Sequence, residues 1–336
     1  MKKGILLVNL GTPDEPTRGA VYRYLKEFLL DPRVIDVNPI SRNLLVRGII
    51  APFRSKPSSE AYKELWTAEG SPLKVYGYKL RDLLRAEMSD EYSIELAMRY
   101  QSPALETVLK DMLQSGLSEL TIVPLFPHYA SASTGSVYEE VMRVLSKELA
   151  IPKLKFVGAF YDHPDFIAAF AARAREHDIA SYDHVLFSYH GLPVRQMVKA
   201  DRSKSHCNKT KDCCMNMTEN NRHCYSAQCY VTTKELVKEL GLKEGQYTTS
   251  FQSRLGKEPW IEPFTPNILQ VRADAGDKRI LCLCPAFISD CLETTVEISD
   301  EYQEEFEKMG GEKLQLVASL NDHPLWVKAL KNIILE

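Results

Sequence analysis

The sequence predicts an α/β protein with two doubly wound domains, each built on a parallel sheet. Short apolar runs alternate with amphipathic stretches along the whole chain, and its 336 residues exceed the length of one typical domain. The order strand, proline-containing loop, helix also occurs twice, at 120–148 and at 279–309. Buried parallel strands have continuous apolar runs of this kind because helices cover both faces of the sheet.

The apolar runs predict strands at 4–10, 120–126, 154–160, 184–189, 246–251, 279–284 and 314–319. The amphipathic stretches predict helices at 18–30, 103–115, 136–148, 163–177, 232–240, 291–309 and 323–334. We expect an N-terminal domain over 1–157 and a C-terminal domain over 158–312. The remaining strand and helix, 313–336, are expected to pack back on the first domain.

Composition favours an ordinary soluble protein of the cytoplasm. The net charge of −3 offers no basic excess for nucleic acid, so no nucleic-acid partner is expected. The apolar run 4–10 is too short for a signal peptide and lacks a cleavage site, and no stretch is long enough to span a bilayer. Eight cysteines in such a compartment serve metals or catalysis more often than disulfides.

His190 follows the apolar run 185–187, in the stretch Ser-Tyr-His-Gly-Leu-Pro. Open α/β sheets collect ligands and catalytic groups where strands end in loops. Imidazole can bind a metal or accept a proton near neutral pH without a large pKa shift. The position favours a metal ligand or proton acceptor, with a structural histidine as an equally weighted alternative.

A second candidate site follows the apolar run 280–284 and contains Asp290, Glu293 and Glu297. Residues four apart share a helix face, so the two glutamates are expected on the same side. Asp290 with Glu293 three residues later is equally typical of a capping-box-like helix start, where acidic residues are favoured. A metal-handling cleft and a plain helix start both remain open at this point.

The polar segment 200–230 contains five cysteines, and buried core cysteines do not cluster in such sequence. They are Cys207, Cys213, Cys214, Cys224 and Cys229. A four-thiolate metal or iron–sulfur site explains them best, with zinc as the leading competitor because His206 and His223 each precede a cysteine. By contrast, Cys282 and Cys284 alternate along an apolar strand and are predicted to be small core residues.

Two further features of the sequence each allow two interpretations. Arg99-Tyr100 ends the strand-like stretch 94–98, where Arg99 is expected either to hold an acidic substrate group or to pair on the surface. The apolar segment 40–60, with scattered arginines, is expected to form either a core helix or a lip that touches a membrane surface or a flat ligand.

Ordered motifs over nearly the whole chain resemble those of the ferrochelatases, which insert ferrous iron into a porphyrin at the end of haem synthesis. The matching stretches are Asn-Leu-Gly-Thr-Pro at 9–13, Arg99-Tyr100, Pro-His-Tyr at 127–129, Ser-Tyr-His-Gly-Leu-Pro at 188–193, Phe-Gln-Ser-Arg at 251–254, Pro-Trp at 259–260, and Phe287 with the acidic stretch 290–297.

The resemblance implies two Rossmann-like domains of chelatase type with a porphyrin cleft between them. It implies that His190 binds the substrate iron or accepts pyrrole protons, with Glu293 as its carboxylate partner and Glu297 and Asp290 extending an acidic path. It further implies that Leu10, Tyr100, Phe287 and Trp260 line or support the pocket and that Arg99 faces the macrocycle or its propionates.

Two departures from the family pattern matter. Cys291 stands where many members have histidine, which puts in doubt a role of that position in iron delivery or transfers it to a thiol. The cysteines lie in an internal segment rather than near the carboxyl terminus, which resembles a variant bacterial class with an internal [2Fe–2S] cluster. Four of the five thiols suffice for that cluster, and Cys207 and Cys224 are the strongest candidates.

The leading hypothesis is a ferrochelatase that makes protohaem from Fe²⁺ and protoporphyrin IX, in the cytoplasm or in peripheral contact with a membrane. A chelatase of another preference, such as one acting on coproporphyrin III or inserting cobalt, is the first alternative. A non-catalytic haem or iron–sulfur carrier or sensor is the second. The sequence indicates no oligomeric state.

Overall fold

The first apolar run forms a strand that is buried on both faces. In β1, Lys3–Gly11, all six residues from Gly4 to Asn9 are buried, as parallel strands between two helix layers require. The structure is a computed structural model that describes residues 2–254, 256 and 258–336. The other strands are β2 Tyr92–Tyr100, β3 Glu119–Pro124, β4 Lys153–Phe156, β5 His184–His190, β6 Tyr247–Gln252, β7 Arg279–Leu283 and β8 Lys313–Leu316.

Helices connect the strands on both sides of each sheet. They are α1 Arg18–Leu30, α2 Pro39–Leu45, α3 Ala51–Leu65, α4 Pro72–Glu87, α5 Leu105–Gln114, α6 Ser136–Leu145, α7 Pro164–Ala174, α8 Val194–Ala200, α9 Tyr225–Leu240, α10 Thr265–Asp274, α11 Gln303–Lys308 and α12 Pro324–Leu335. Three segments are π-helical instead: Val46–Ile50, Ser131–Gly135 and Leu292–Tyr302. Such segments are uncommon and occur frequently at functional sites.

Two parallel sheets confirm the predicted α/β class. The first has the strand order β2-β1-β3-β4 and the second the order β6-β5-β7-β8. Every named strand pair is parallel. The two sheets thus have the same order when each is numbered from its own first strand, which extends the likeness seen in the sequence.

The chain divides into two compact units. Unit 1 contains the described residues up to Phe126, together with Ala130–Gly158 and Leu330–Glu336. Unit 2 contains Pro127–Tyr129 and Ala159–Ala329. The expectation that the terminal strand and helix pack on the first domain is wrong for the strand, because β8 pairs with β7 and places the buried Leu314 in the core of unit 2. The end of the terminal helix, Leu330–Glu336, belongs to unit 1.

Each unit has its own apolar core. The core of unit 1 includes Leu6, Val8, Leu109, Leu120, Ile122, Val137 and Val141. That of unit 2 includes Leu186, Leu269, Ile280, Cys282, Cys284, Ile298 and Phe306. The prediction that Cys282 and Cys284 are core residues is therefore confirmed.

The segment 39–65 is helical throughout and presents a row of apolar side chains to solvent. Val46 and Ala51 of this segment pack into a small apolar cluster with Leu29 and Ile35. Ile40, Leu44, Ile49 and Phe53 are between 57% and 75% exposed. The expectation of a core helix is therefore wrong for these four residues, because their side chains are exposed. Within the described part of the chain, no helix is both long and apolar enough to cross a membrane.

Candidate active site and thiol site

His190 is the last residue of β5 and is half-buried. Its Nδ1 lies 2.5 Å from the carbonyl oxygen of Gly191, where a neutral ring donates its proton. Because the hydrogen bond at one ring nitrogen sets the tautomer, Nε2 then carries the lone pair. The strand end thus presents an imidazole nitrogen that can bind a metal or accept a proton.

Two aromatic rings flank this imidazole. The ring centroid of Trp260 lies 6.5 Å and that of Phe287 lies 6.3 Å from that of His190. Trp260 is held by an antiparallel bridge to Pro193, and Phe287 packs against the core of unit 2. The structure therefore brings together three residues that the sequence analysis named separately.

The acidic segment forms the π-helix Leu292–Tyr302, so the α-helical geometry assumed for 291–309 is wrong over its first part. Glu297 accepts hydrogen bonds from the backbone N–H of Ser253 at 2.9 Å, the Ser253 hydroxyl at 2.6 Å and the Tyr302 hydroxyl at 2.8 Å. Burial and this carboxylate raise the pKa of Tyr302 well above its usual value, so its phenol remains a donor. No ion pair among the described residues includes Glu297.

Glu293 lies in the first turn of this helix, next to a buried thiol. Its backbone carbonyl accepts a hydrogen bond from the amide Nε2 of Gln252 at 2.5 Å. Burial, and then the Glu293 carboxylate, raise the pKa of the Cys291 thiol well above its usual value. Cys291 is therefore a neutral thiol beside the carboxylate.

Asp290 has a structural position. Its carboxylate accepts hydrogen bonds from the backbone N–H of Ser319 at 3.0 Å and the side-chain amide of Asn321 at 2.7 Å. Of the two alternatives for this stretch, a capping box between Asp290 and Glu293 is not formed, because Cys291 is the N-cap residue and pairs with Thr294. These contacts join the loop after β7 to the loop after β8.

Arg99 and Tyr100 lie in unit 1, at the end of β2, and both bind Asp31. Arg99 Nη2 and the Tyr100 hydroxyl each lie 2.9 Å from Asp31 Oδ2, and the Ser136 hydroxyl lies 2.6 Å from it. Burial and the Asp31 charge raise the pKa of Tyr100 well above its usual value. These contacts favour the structural alternative for Arg99. Leu10, also in unit 1, is half-buried near the end of β1.

Four of the five clustered cysteines line one cavity of about 180 Å³ in unit 2: Cys207, Cys213, Cys214 and Cys224. The Sγ atoms of Cys213 and Cys214 lie 3.5 Å apart, and those of Cys214 and Cys224 lie 3.7 Å apart. The fifth, Cys229, is fully buried within α9 and does not line the cavity. Within the described residues, no group of three His, Cys, Asp or Glu side chains has a geometry ready for a single metal ion.

Gln252 and Ser253 bind the acidic π-helix, and Tyr302, its last residue, binds Glu297; the sequence predicts no role for these three residues. One signal was available for the first two, because they follow the predicted strand 246–251 in the same way that His190 follows 184–189. For Tyr302 there was none, because only the π-helical geometry brings its hydroxyl to Glu297.

Comparisons with known proteins agree with this architecture. A family model described as Ferrochelatase matches residues 2–336. A ferrochelatase of Legionella pneumophila (strain Lens) is 45% identical, with 100% of this chain and 99% of that protein covered. One from Coxiella burnetii (strain Dugway 5J108-111) is 42% identical, with 98% and 92% covered.

Among solved structures, SirB from Bacillus subtilis with Fe³⁺ has a TM-score of 0.55 at 13% identity, with 100% of this chain and 95% of that chain covered. At this low identity the likeness concerns the fold alone. The sequence matches cover the full length of the chain. Their identities are well above those that proteins of one family need to share. The chain therefore belongs to the ferrochelatase family.

Proposed function

We propose that this protein is a ferrochelatase that inserts Fe²⁺ into protoporphyrin IX to form protohaem. The observation that carries the proposal is the arrangement at the end of β5 and β6. The imidazole of His190, at the end of β5, is flanked by Trp260 and Phe287. On the adjacent strand β6, the buried Gln252 contacts the π-helix that bears Glu293 and Glu297. Family membership supplies the reaction class.

The chemistry needs groups that accept protons and bind iron weakly. Insertion exchanges two pyrrole N–H protons for one Fe²⁺ ion, so two protons must leave the ring. Nε2 of His190 can accept one, and the carboxylates of Glu293 and Glu297 can accept protons or transiently bind the ion. A weak, mixed set of nitrogen and oxygen ligands suits transfer, because a tight site would retain the iron.

The assay uses purified protein with ferrous iron and protoporphyrin IX, without oxygen, and follows haem formation by absorbance. We expect turnover by the wild type and a loss of about 10²- to 10⁴-fold in His190→Ala, the range typical of a general acid or base. His177→Ala, at the half-exposed position after α7, is the matched control and should keep full activity. An active His190→Ala variant would refute the assignment.

The same assay separates the alternatives. A higher kcat/KM with coproporphyrin III than with protoporphyrin IX would identify a coproporphyrin ferrochelatase, and preferred insertion of cobalt would identify another chelatase. A carrier or sensor would bind porphyrin, seen by fluorescence quenching, without metallating it.

We assign Trp260 and Phe287 to the porphyrin site because their rings lie beside the catalytic imidazole. The roles expected for Leu10, Arg99 and Tyr100 rest on the family resemblance alone. For Arg99 and Asp290 the contacts favour a structural role, since both are engaged with protein partners. Substituting Phe287 by alanine should raise the KM for porphyrin more than that for iron.

We also propose that Cys207, Cys213, Cys214 and Cys224 hold a [2Fe–2S] cluster. A tetrahedral metal with bonds of about 2.3 Å to sulfur places two thiolates about 3.8 Å apart. The separations of 3.5 and 3.7 Å are close to that value. Of the two histidines that favour zinc, His206 already has its Nε2 3.0 Å from the carbonyl oxygen of Cys213, and His223 lines the same cavity as the four cysteines. A bound cluster would crosslink the loop that contains Cys207, Cys213 and Cys214 to Cys224, the residue just before α9.

A visible spectrum of freshly prepared protein tests this assignment. We expect red-brown charge-transfer bands that disappear in Cys224→Ser and persist in the matched variant Cys229→Ala. Colourless protein with stoichiometric zinc would overturn the cluster in favour of zinc. Loss of the bands in Cys229→Ala, in folded protein, would contradict the choice of four ligands.

Finally, we propose that the exposed apolar row on 39–65 contacts an anionic membrane surface. The exposed cations Arg47, Arg54 and Lys56 accompany that row, a combination that favours negatively charged lipid. Leu44→Asp with Phe53→Asp should lower binding to phosphatidylcholine–phosphatidylglycerol vesicles at least about tenfold. Leu149→Asp, at an exposed apolar position elsewhere, is the control. Equal binding by all three proteins would exclude this surface.

A further inference from the structure

Gln252 is a buried polar side chain next to the proposed catalytic histidine. It ends β6, is only 2% exposed, and pairs in register with His190 at the end of β5. Its carbonyl oxygen accepts a hydrogen bond from the backbone N–H of Gly191 at 2.6 Å. The backbone of Gln252 is thus fixed directly beside the residue that ends the catalytic strand.

Two neighbours orient the side-chain amide. Its Oε1 lies 2.7 Å from the hydroxyl of Ser188, on β5, and 3.6 Å from the thiol of Cys284, which follows β7. Both neighbours donate, so the oxygen end must face them. The Nε2 end therefore faces the π-helix, where it donates to the carbonyl of Glu293 at 2.5 Å and lies 3.4 Å from Glu297 Oε2.

This geometry needs a side chain with an acceptor at one end and a donor at the other. An amide supplies both, whereas a carboxylate would place a lone pair against the Glu293 carbonyl and a charge near Glu297. A thioether of similar size would leave the buried groups on both sides without partners, which costs free energy. Gln252 thus links the catalytic strand to the helix that carries the acidic residues.

We infer that Gln252 is a positioning residue, which holds the helix bearing Glu293 and Glu297 against His190. This role rests on the proposed function, because it concerns the same three residues. Displacement of a catalytic group by about 1 Å can cost 10²-fold in rate. Loss of the link is therefore expected to lower kcat while the binding of porphyrin, which a side chain this buried does not contact, is retained.

The test compares Gln252→Glu with Gln252→Met over a range of pH. Both should lower kcat about 10- to 100-fold at neutral pH, with the KM for porphyrin within about twofold of the wild type. The groups in contact with this side chain are the Glu293 carbonyl and Glu297 on the π-helix, Ser188 on β5 and Cys284 after β7; His190 is its register neighbour on β5. When ionised, as at neutral pH, the new carboxyl has no proton to donate to the Glu293 carbonyl. Burial and the nearby acids raise its pKa, so a lower pH restores a donor there.

The activity of Gln252→Glu relative to the wild type should accordingly rise as the pH falls, whereas the relative activity of Gln252→Met should stay low and flat. A merely structural role would change thermal stability without such a pH-dependent ratio. Gln228→Glu is the matched control: Gln228 is also 2% exposed and also donates to a carbonyl, that of Arg222. Its relative activity should not depend on pH.

Ser188→Ala, which removes one donor that orients the amide, is a milder variant should the others fail to fold, and should lower kcat about two- to tenfold. If His190→Ala is inactive while the Gln252 and Ser188 variants keep wild-type kcat and pH profiles, the positioning role is wrong and the proposed function stands. If His190→Ala keeps turnover, both fall.

Discussion

The ends of β2 and β6 occupy corresponding edge positions in the two sheets, and each leads to a buried or half-buried carboxylate. Tyr100 ends β2 and binds Asp31, while Gln252 ends β6 and contacts Glu297. Each is followed by a residue with positive φ, Gln101 at 63° and Ser253 at 58°. The local backbone is therefore alike in the two units.

The charges differ. Asp31 has Arg99 as an ion-pair partner at 2.9 Å, with the two side chains only 5% and 16% exposed. Glu297 is held by neutral donors from Ser253, Tyr302 and Gln252. The charge of a carboxylate paired with arginine is balanced by the guanidinium, whereas neutral donors leave the charge of a carboxylate without a counter-ion. The same strand end thus serves structure in unit 1 and, in our proposal, chemistry in unit 2.

The largest difference between the two units should appear in the free energy of unfolding when the carboxylates of Asp31 and Glu297 are removed. Asp31→Ala leaves Arg99 buried without its partner, so we expect a loss of about 3–5 kcal/mol in the free energy of unfolding. Glu297→Ala leaves only neutral donors unsatisfied and should cost about 1–3 kcal/mol. Urea unfolding of both variants measures this, and equal losses would remove the distinction between the units.

The next effect concerns activity. Glu297→Gln keeps size and hydrogen bonding but loses the charge, and should lower kcat roughly 10²-fold if the carboxylate handles protons or iron. Glu304→Gln, at an exposed position in α11, serves as the control. Wild-type kcat in Glu297→Gln would show that an uncompensated charge is not needed there.

The two phenols offer a matched pair. Tyr100 donates to Asp31 and Tyr302 donates to Glu297, at 2.9 and 2.8 Å. Each Tyr→Phe change removes one hydrogen bond to a carboxylate and should cost about 1.5–3 kcal/mol of unfolding free energy. Tyr302→Phe should in addition lower kcat two- to tenfold, because Glu297 is less firmly held. Unchanged kcat in that variant would argue against a catalytic Glu297.

The smallest effect, counted per pH unit, distinguishes His128 from His190, which are two of the histidines of unit 2. His128 is fully buried against Thr232, and burial lowers its pKa to about 3, whereas His190 is half-buried. Between about pH 6.5 and 3 the unfolded chain binds a proton that the folded chain excludes, so stability falls as the pH falls, by up to about 1.4 kcal/mol per unit. His128→Asn should lose this component. An unchanged slope in urea unfolding at pH 4–6.5 would mean that His128 is protonated in the folded state.

Local pattern predicted the features that depend on neighbours along the chain. Apolar runs indicated the class and most strands, and the position of His190 after such a run followed directly. The thiols of Cys282 and Cys284 were assigned to the core because they alternate along the apolar run 280–284, and both are core residues. Residue types in one short segment also indicated a thiolate site.

Contacts between distant segments were outside the reach of those patterns. Arg99 meets Asp31 across 68 positions, and Gln252 meets the carbonyl of Glu293 across 41. The pairing of β8, the exclusion of Cys229 from the cavity and the π-helical course of 292–302 likewise follow from packing.

Periodicity and residue chemistry were thus enough to identify an α/β chain with an imidazole, an acidic segment and a thiol cluster. Which carboxylate pairs with an arginine and which is held by neutral donors depended on the folded chain, because an ion pair or an oriented amide exists only when the fold brings its partners within hydrogen-bond distance.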